Sequence, residues 1–304
     1  MSWVFLTVSL AHKLKKPVHY EFLDFRTLES RRRNCHAEVR LNRRLAPEIY
    51  IGAVPLTLEP SGHLRMEGNG TPVDWLVRMR RLPADQLLDG AIAAKSVRPD
   101  DLDRVARLLA TFYRDAKRPH ITPRAFLKRI AAAIAKNRQE LLAPEFDLPP
   151  GRVDAVCDAL ESTLTREAPL FERRIHDGCV VEGHGDLKPE HVYLGPDPAV
   201  IDCLEFKRDF RILDWADELA YLAVECERLG SREPGEEIMA SCCRLLGDSP
   251  PVALIDFYKA HRALLRARLA IAHLRDEDVR EPGKWRPRAL EYLSLAEGYL
   301  GLKR

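Results

Sequence analysis

A short β-rich island inside a helical tract constrains this chain more than any other feature. Residues Cys179–Phe206 carry three brief apolar runs, Cys179–Val181, His191–Leu194 and Ala199–Ile201, separated by a glycine-containing loop and by the turn GPDP. Runs of that length bounded by glycine and proline read as strands. The loop holds Asp186 in His184-Gly185-Asp186, and the last run ends on Asp202, sixteen residues later. Taken singly, HGD reads as a polar turn as readily as a reactive loop, and Asp202 as a strand-end residue. Two acids presented by successive apolar strands are harder to dismiss, because a loop held between strands can fix a carboxylate rigidly.

The flanks read differently. Asp101–Ala116, Arg124–Leu142 and Val153–Arg166 before the island, and Asp214–Leu229, Val252–Arg275 and Pro287–Leu300 after it, repeat apolar residues at helical spacing. The first 82 residues are β-type, with runs at Trp3–Leu10, His12–Lys16, Ala53–Leu58 and Trp75–Met79, a helix over Thr27–Leu45 and a turn-rich connection at Gly62–Pro72. The expectation is an α+β chain of two lobes with a cleft: a small β-rich lobe over 1–82 and a larger helical lobe over 83–304 that carries the loops of 183–206.

Bulk properties exclude several classes. In 304 residues, 48 basic and 46 acidic side chains leave a net charge of +2, so no overall field attracts nucleic acid. Seven cysteines without a C-x-x-C pair argue against a zinc ribbon or a disulfide framework and fit a reducing cytoplasm. No apolar run is long enough to span a membrane. MSWVFLTVSL lacks the basic flank and cleavage site of a signal peptide and reads as a strand. No G-x-x-x-x-G-K-S/T sequence occurs, which excludes a P-loop kinase domain from these residues.

Phosphoryl transfer from a nucleoside triphosphate needs a cation on the phosphates, ligands for magnesium and a carboxylate that accepts from the attacking hydroxyl. Each part has a candidate in this chain. HGDLKPEHVYL followed by VIDCLEF resembles the catalytic and metal loops of the aminoglycoside phosphotransferase and choline kinase group, whose fold is protein-kinase-like. The chain is more closely similar to a bacterial branch of uncharacterised phosphotransferase-like proteins. In that branch a lysine-rich strand, a phrase like LDFRTLESRRRNC-x-x-EVRLNRRLAP, a phrase like VRMRRLP and a DxxEF motif follow in this order. The likeness runs from Val4 to about Leu229 and extends to the last helices.

That resemblance implies roles. Asp186, with His184 beside it, takes the catalytic position, and Asp202 the magnesium position. Lys13 or Lys15 meets the phosphates; both point to one side of a strand, and Lys13 is preferred. Glu38 pairs with that lysine, and the Val77–Pro83 stretch, with Met79 and Arg80, meets the adenine. ATP and Mg2+ are the implied cofactors, Mn2+ the softer alternative, and a small-molecule hydroxyl the acceptor.

Two departures qualify the likeness. His191 stands where the kinase pattern has asparagine, and imidazole suits softer metals than magnesium. The favoured outcome is that Asp202 and water carry magnesium with His191 nearby; the others are a softer metal or loss of transfer. Positions 1–51 hold no glycine, so no glycine-rich loop covers the phosphates, and the chain begins almost at the lysine strand.

The leading expectation is an ATP- and metal-dependent phosphotransferase. The alternative is a nucleotide-binding module with weak or no transfer, and a third reading groups His184, Asp186, His191 and Asp202 as a metal-hydrolase site. Glu205, Asp209 and the basic row Lys259, Arg262, Arg266 and His273 are expected to be solvated. Asp214 is expected to cap the helix that follows it.

Overall fold

The computed structural model describes residues 2–20, 23–276, 279 and 281–302. Met1, the first residue of the run read as a strand, lies outside them. The chain divides into two compact units, one of Met1–Asp115 with His184–Ile212, the other of Ala116–Gly183 with Leu213–Arg304. The sequence reading put its boundary at 82/83; by contacts, the loops around Asp186 and Asp202 belong with the N-terminal sheet.

In the first unit, β1 (Ser2–Leu6) and β2 (Leu10–Lys15) form a hairpin, so the run expected as one strand over Trp3–Leu10 is broken. Thr7 closes the turn: its N–H donates to the Leu10 carbonyl (2.8 Å), and its Oγ1 accepts from the Leu10 N–H (3.0 Å). A side-chain-closed turn thus stands where a glycine-rich loop was sought. A two-stranded pair, β3 (His19–Tyr20) and β4 (Leu23–Asp24), leads into helix α1 (Leu28–Asn42). Strands β5 (Tyr50–Leu58), β6 (Leu64–Met66) and β7 (Thr71–Arg80) complete an antiparallel sheet of order β1-β2-β7-β5-β6. The connection read as turn-rich therefore contains a short strand.

Thr27 caps α1 by accepting from the Ser30 N–H (3.1 Å). The buried stripe of α1 runs Cys35, Glu38, Val39, Asn42, at helical i, i+3, i+4 and i+7 spacing. Cys35 and Val39 pack into a core with Ala46, Ile49, Tyr50, Val77 and Ala199. Burying an aliphatic side chain of this kind contributes about 1.5–3 kcal/mol. The apolar half of the stripe thereby fixes where its polar half, Glu38 and Asn42, must point.

Helices α2 (Leu88–Ala93) and α3 (Pro99–Asp115) end that stretch. The second unit takes α4 (Pro123–Leu141), α5 (Pro150–Arg166), α6 (Ala168–His176) and β8 (Val180–Glu182). The chain returns to the first unit for β9 (Val192–Tyr193) and β10 (Ala199–Val200), an antiparallel pair. Then follow β11 (Ile212–Asp214), paired with β8, and helices α7 (Trp215–Arg228), α8 (Glu233–Leu246), α9 (Val252–Ala272) and α10 (Trp285–Tyr299). Among the described residues no helix is long and apolar enough to cross a membrane. All seven cysteines are free.

Within the second unit the basic row of α9 is not a solvated face. Arg262 forks onto Asp217 of α7 with both bonds near 2.7 Å (2.7 and 2.6 Å), and Arg266 meets Glu225 at 2.7 Å. Lys259 is buried as well; His273 alone of the row stays exposed, as expected, stacked on Trp285 and bonded through Nδ1 to Asp276 (2.8 Å). Charge spacing on one helix could not reveal the carboxylates that α7 presents to it. Asp214 caps α7 as expected, accepting from the Ala216 N–H (2.9 Å). It also receives Arg174 through two bonds (2.7 and 2.8 Å) and the Tyr258 hydroxyl (3.1 Å). Replacing Asp214 by alanine takes two of the three carboxylate bonds from the buried Arg174 guanidinium and leaves it only Asp248; breaking a buried pair of this kind costs about 3–5 kcal/mol. A large drop in the midpoint of urea unfolding, followed by circular dichroism, is the expected result, and an unchanged midpoint refutes it.

Candidate active site

Alternation along β2 sends Lys13 and Lys15 to one face. Both ammonium groups reach the carboxylate of Glu38: Lys13 Nζ lies 3.0 Å from Oε1 and Lys15 Nζ 2.6 Å from Oε2. The two then diverge. Lys13 also contacts Asp202 Oδ1 (2.5 Å), while Lys15 pairs with Glu205. Glu38 and Lys15 are shut off from solvent, whereas the Asp202 side chain is 42% exposed. Burial by itself would lower the pKa of Lys13, but Glu38, Asp202 and Glu205 raise it well above the usual lysine range. Burial likewise works against the ionised Asp202, and Lys13 with His191 outweighs it, holding that carboxyl below its ordinary range. Glu205, read from sequence as a solvated loop charge, is instead a buried partner of Lys15.

Asp202 adopts a left-handed backbone conformation, φ 62°, unusual for a residue with a side chain. Its N–H donates to the Tyr50 hydroxyl (3.0 Å), and the next N–H, of Cys203, donates to Asn42 Oδ1 (2.8 Å). Asn42 in turn donates to the Glu38 carbonyl (2.9 Å). Sequence reasoning missed Tyr50 and Asn42. The only signal was Asn42 standing four residues after Glu38, which puts both on one helix face.

The Asp186 loop is zipped to the Asp202 loop. Ile201 N–H donates to the His191 carbonyl (2.9 Å) and Leu204 N–H to the His184 carbonyl (3.2 Å). Gly185 sits at φ 90°, and a Cβ there would meet Arg211, Leu204 and the Phe210 carbonyl at 3.1 Å, so HGD needs its glycine. His184, expected beside Asp186 in the catalytic position, is fully buried. Its Nε2–H donates to the Ile201 carbonyl (2.9 Å), leaving Nδ1 to accept the Asp186 N–H (3.3 Å). That geometry makes it a brace between the two loops. Burial lowers its pKa to about 3, so it is neutral near pH 7.

His191 lies between the two acids. Its Nδ1–H donates to the Asp186 carbonyl (2.8 Å), and its Nε2 faces Asp202 Oδ2 at 3.6 Å. Asp186 Oδ2 is 3.8 Å from Nδ1 and 3.1 Å from Lys188 Nζ. Burial opposes ionisation of Asp186, but His191 and Lys188 outweigh it and keep the carboxylate charged. Lys188, two residues after Asp186, was not singled out from sequence.

Among the described residues no group of three or more His, Cys, Asp or Glu side chains is placed to hold a metal unaided. A carboxylate oxygen and an imidazole nitrogen facing each other do fit a cation that takes its remaining ligands from phosphates and water. At the end of β7, the Arg80 N–H donates to the Ile49 carbonyl and the Arg81 N–H to the Ser9 carbonyl (both 2.9 Å). Met79 lies in register with Ala11 and Tyr50. The backbone at Met79 and Arg80 is thus engaged in or beside the sheet.

The state of His184 has a measurable consequence. Its folded pKa of about 3 lies below the ordinary imidazole value of 6.5, so the unfolded chain binds this proton first. Stability from this group is complete above pH 6.5 and is lost as pH falls toward 3. Urea titrations across that interval are expected to show a steeper fall for the parent chain than for His184→Gln; parallel curves contradict the assignment.

No family model matches the sequence. Uncharacterised proteins of Mycobacterium tuberculosis and Mycobacterium bovis are 37% identical over 272 residues, covering 88% of this chain and 52% of each relative. The chain spans about half the length of these curated relatives. Among solved structures, a choline kinase from Cryptosporidium parvum superposes with a TM-score of 0.56 at 10% identity, covering 96% of this chain and 83% of that one. A choline kinase from Streptococcus pneumoniae gives 0.54 at 18% identity (96% and 89%). The GDP complex of aminoglycoside 2'-phosphotransferase-IIIa gives 0.51 at 16% identity (98% and 89%). With its antiparallel N-terminal sheet, its helical C-terminal part and these likenesses across nearly its whole length, the chain has the protein-kinase-like fold of the aminoglycoside phosphotransferases and choline kinases.

Proposed function

We propose that this chain is an ATP- and metal-dependent phosphotransferase acting on a hydroxyl group of a small molecule. The observation that carries this reading is the convergence on one side chain. Asp202 meets Lys13 at 2.5 Å and faces Nε2 of His191 at 3.6 Å, while the same imidazole lies 3.8 Å from Asp186. A phosphate-binding cation, a metal-binding carboxylate and an acceptor-facing carboxylate are the parts that phosphoryl transfer requires, together and in charged form. The structural neighbours are, by name, choline kinases and an aminoglycoside phosphotransferase, which supports a hydroxyl-bearing small molecule as acceptor.

In this reading Lys13 binds the phosphates and Glu38 orients it. Asp202 would hold the divalent cation together with water and phosphate oxygens, His191 Nε2 lying nearby; Mg2+ is the first choice, and Mn2+, which accepts imidazole, the softer alternative. That cation supplies neutralisation of phosphate charge when bound. Asp186 accepts a hydrogen bond from the acceptor hydroxyl and takes its proton as the oxygen attacks the γ-phosphorus and the bond to ADP breaks. Lys188 beside Asp186 keeps that carboxylate ionised until then. Within the Val77–Pro83 stretch read as meeting the adenine, Leu82, two residues after Arg80, is the position whose N–H has no partner among the described residues.

Asp186→Asn is expected to abolish transfer, by a factor of at least about 10², while sparing metal-dependent ATP binding. Turnover is followed over a set of hydroxyl compounds and binding by calorimetry. Unchanged turnover removes Asp186 from the mechanism. Binding without turnover in the parent chain favours the nucleotide-binding module instead. Asp202→Ala is expected to remove the metal dependence of ATP binding; a retained dependence places the cation elsewhere.

A further inference from the structure

Glu38 is held by two lysines, and the second is buried too deeply to meet a ligand. Lys15 is 1% exposed, its ammonium lies between Glu38 and Glu205, and it rests over the Phe25 ring at 5.0 Å. The groups run as one alternating chain of charges: Asp202, Lys13, Glu38, Lys15, Glu205. Only the Asp202 end is substantially open to solvent; the Glu205 side chain is 8% exposed. Glu205 also follows Asp202 by three residues on the same loop, so the Lys15–Glu205 pair ties that loop to β2 from behind.

We propose that Lys15 and Glu205 are positioning residues that form a clamp for the transfer reaction. They hold the Glu38 carboxylate so that Oε1 stays aimed at Lys13, and they anchor the loop that carries Asp202 in its left-handed conformation. The physical need is specific. With Lys13 alone, Glu38 would lose its compensating charge whenever Lys13 turned toward phosphates, and a buried unpaired carboxylate is costly. Lys15 occupies the other oxygen permanently, so Glu38 stays ionised and fixed while Lys13 is shared between Glu38, Asp202 and a ligand. Glu205 balances the extra ammonium. Lys15 therefore acts through Glu38, and the phosphate-binding role falls to Lys13 alone.

This inference rests on the phosphotransferase reading for its catalytic part, and the experiment separates the two. Full-length Lys13→Met, Lys15→Met, Glu205→Gln and the double variant Lys15→Met/Glu205→Gln are compared with the parent chain. Three readouts are taken: thermal stability, steady-state kinetics with ATP, and hydrogen exchange at the Asp202 and Cys203 amides. Lys13→Met is expected to weaken ATP binding directly. Lys15→Met and Glu205→Gln are expected to lower kcat roughly a hundredfold, the scale of a misplaced reacting group, with KM for ATP little changed, and to speed exchange at the two amides. The double variant restores charge balance, so it is expected to regain thermal stability without regaining kcat or amide protection.

Recovery of kcat together with stability in the double variant overturns the proposal, because the pair is then merely structural. A loss of ATP affinity in a folded Lys15→Met equal to that in Lys13→Met also overturns it, because Lys15 is then a phosphate ligand. If the parent chain binds no ATP, the phosphotransferase reading fails. The clamp is then decided by amide exchange alone: faster exchange in both single variants sustains it, and unchanged exchange overturns it.

Discussion

A carboxylate buried between two ammonium groups is the interaction on which the rest of the site depends. Glu38 has no solvent to stabilise its charge, so it exists as an ion only because Lys13 and Lys15 each take one of its oxygens. That requirement reaches outward. Through Lys13 and Lys15 it links α1 and β2 to Asp202 and Glu205. The core of Cys35, Val39, Tyr50 and Val77 supplies the apolar burial that keeps the helix where the ion pairs need it.

The second constraint is the pair of loops that present Asp186 and Asp202. A left-handed aspartate is held by hydrogen bonds from its own and the following N–H to Tyr50 and Asn42, and the two loops share bonds through His184, His191, Ile201 and Leu204. None of these contacts is itself chemistry. They hold loop residues as fixed donors and acceptors, the preorganisation on which the proposed transfer would draw. His191, which departs from the kinase pattern, is integrated rather than stray: one nitrogen is tied to the Asp186 backbone and the other faces Asp202.

Much of this was legible in the sequence because it depends on local pattern. The helix around Glu38, the short apolar strands around HGD and the strand ending at Asp202 follow from periodicity and turn residues. Alternation placed Lys13 and Lys15 on one face. It could not say which lysine would meet Asp202, because that depends on a contact spanning 189 residues. The same limit explains Glu205 and the α9 arginines, which look solvated until the element opposite them is known. Thr7 closing a hairpin without glycine was missed because turn-forming side chains signal weakly.

The sequence by itself determined the kinds of elements, their order and the charged residue types the site has to work with, since these follow from periodicity and side-chain chemistry within a few residues. Only the tertiary structure decided which charges are partners and which are buried. It separated Lys13, open toward Asp202, from Lys15, sealed behind Glu38, and made His184 a neutral brace. The physical reason is that charge state and hydrogen-bond role are set by the dielectric and the neighbours at a point in space, and the chain reaches that point from positions far apart.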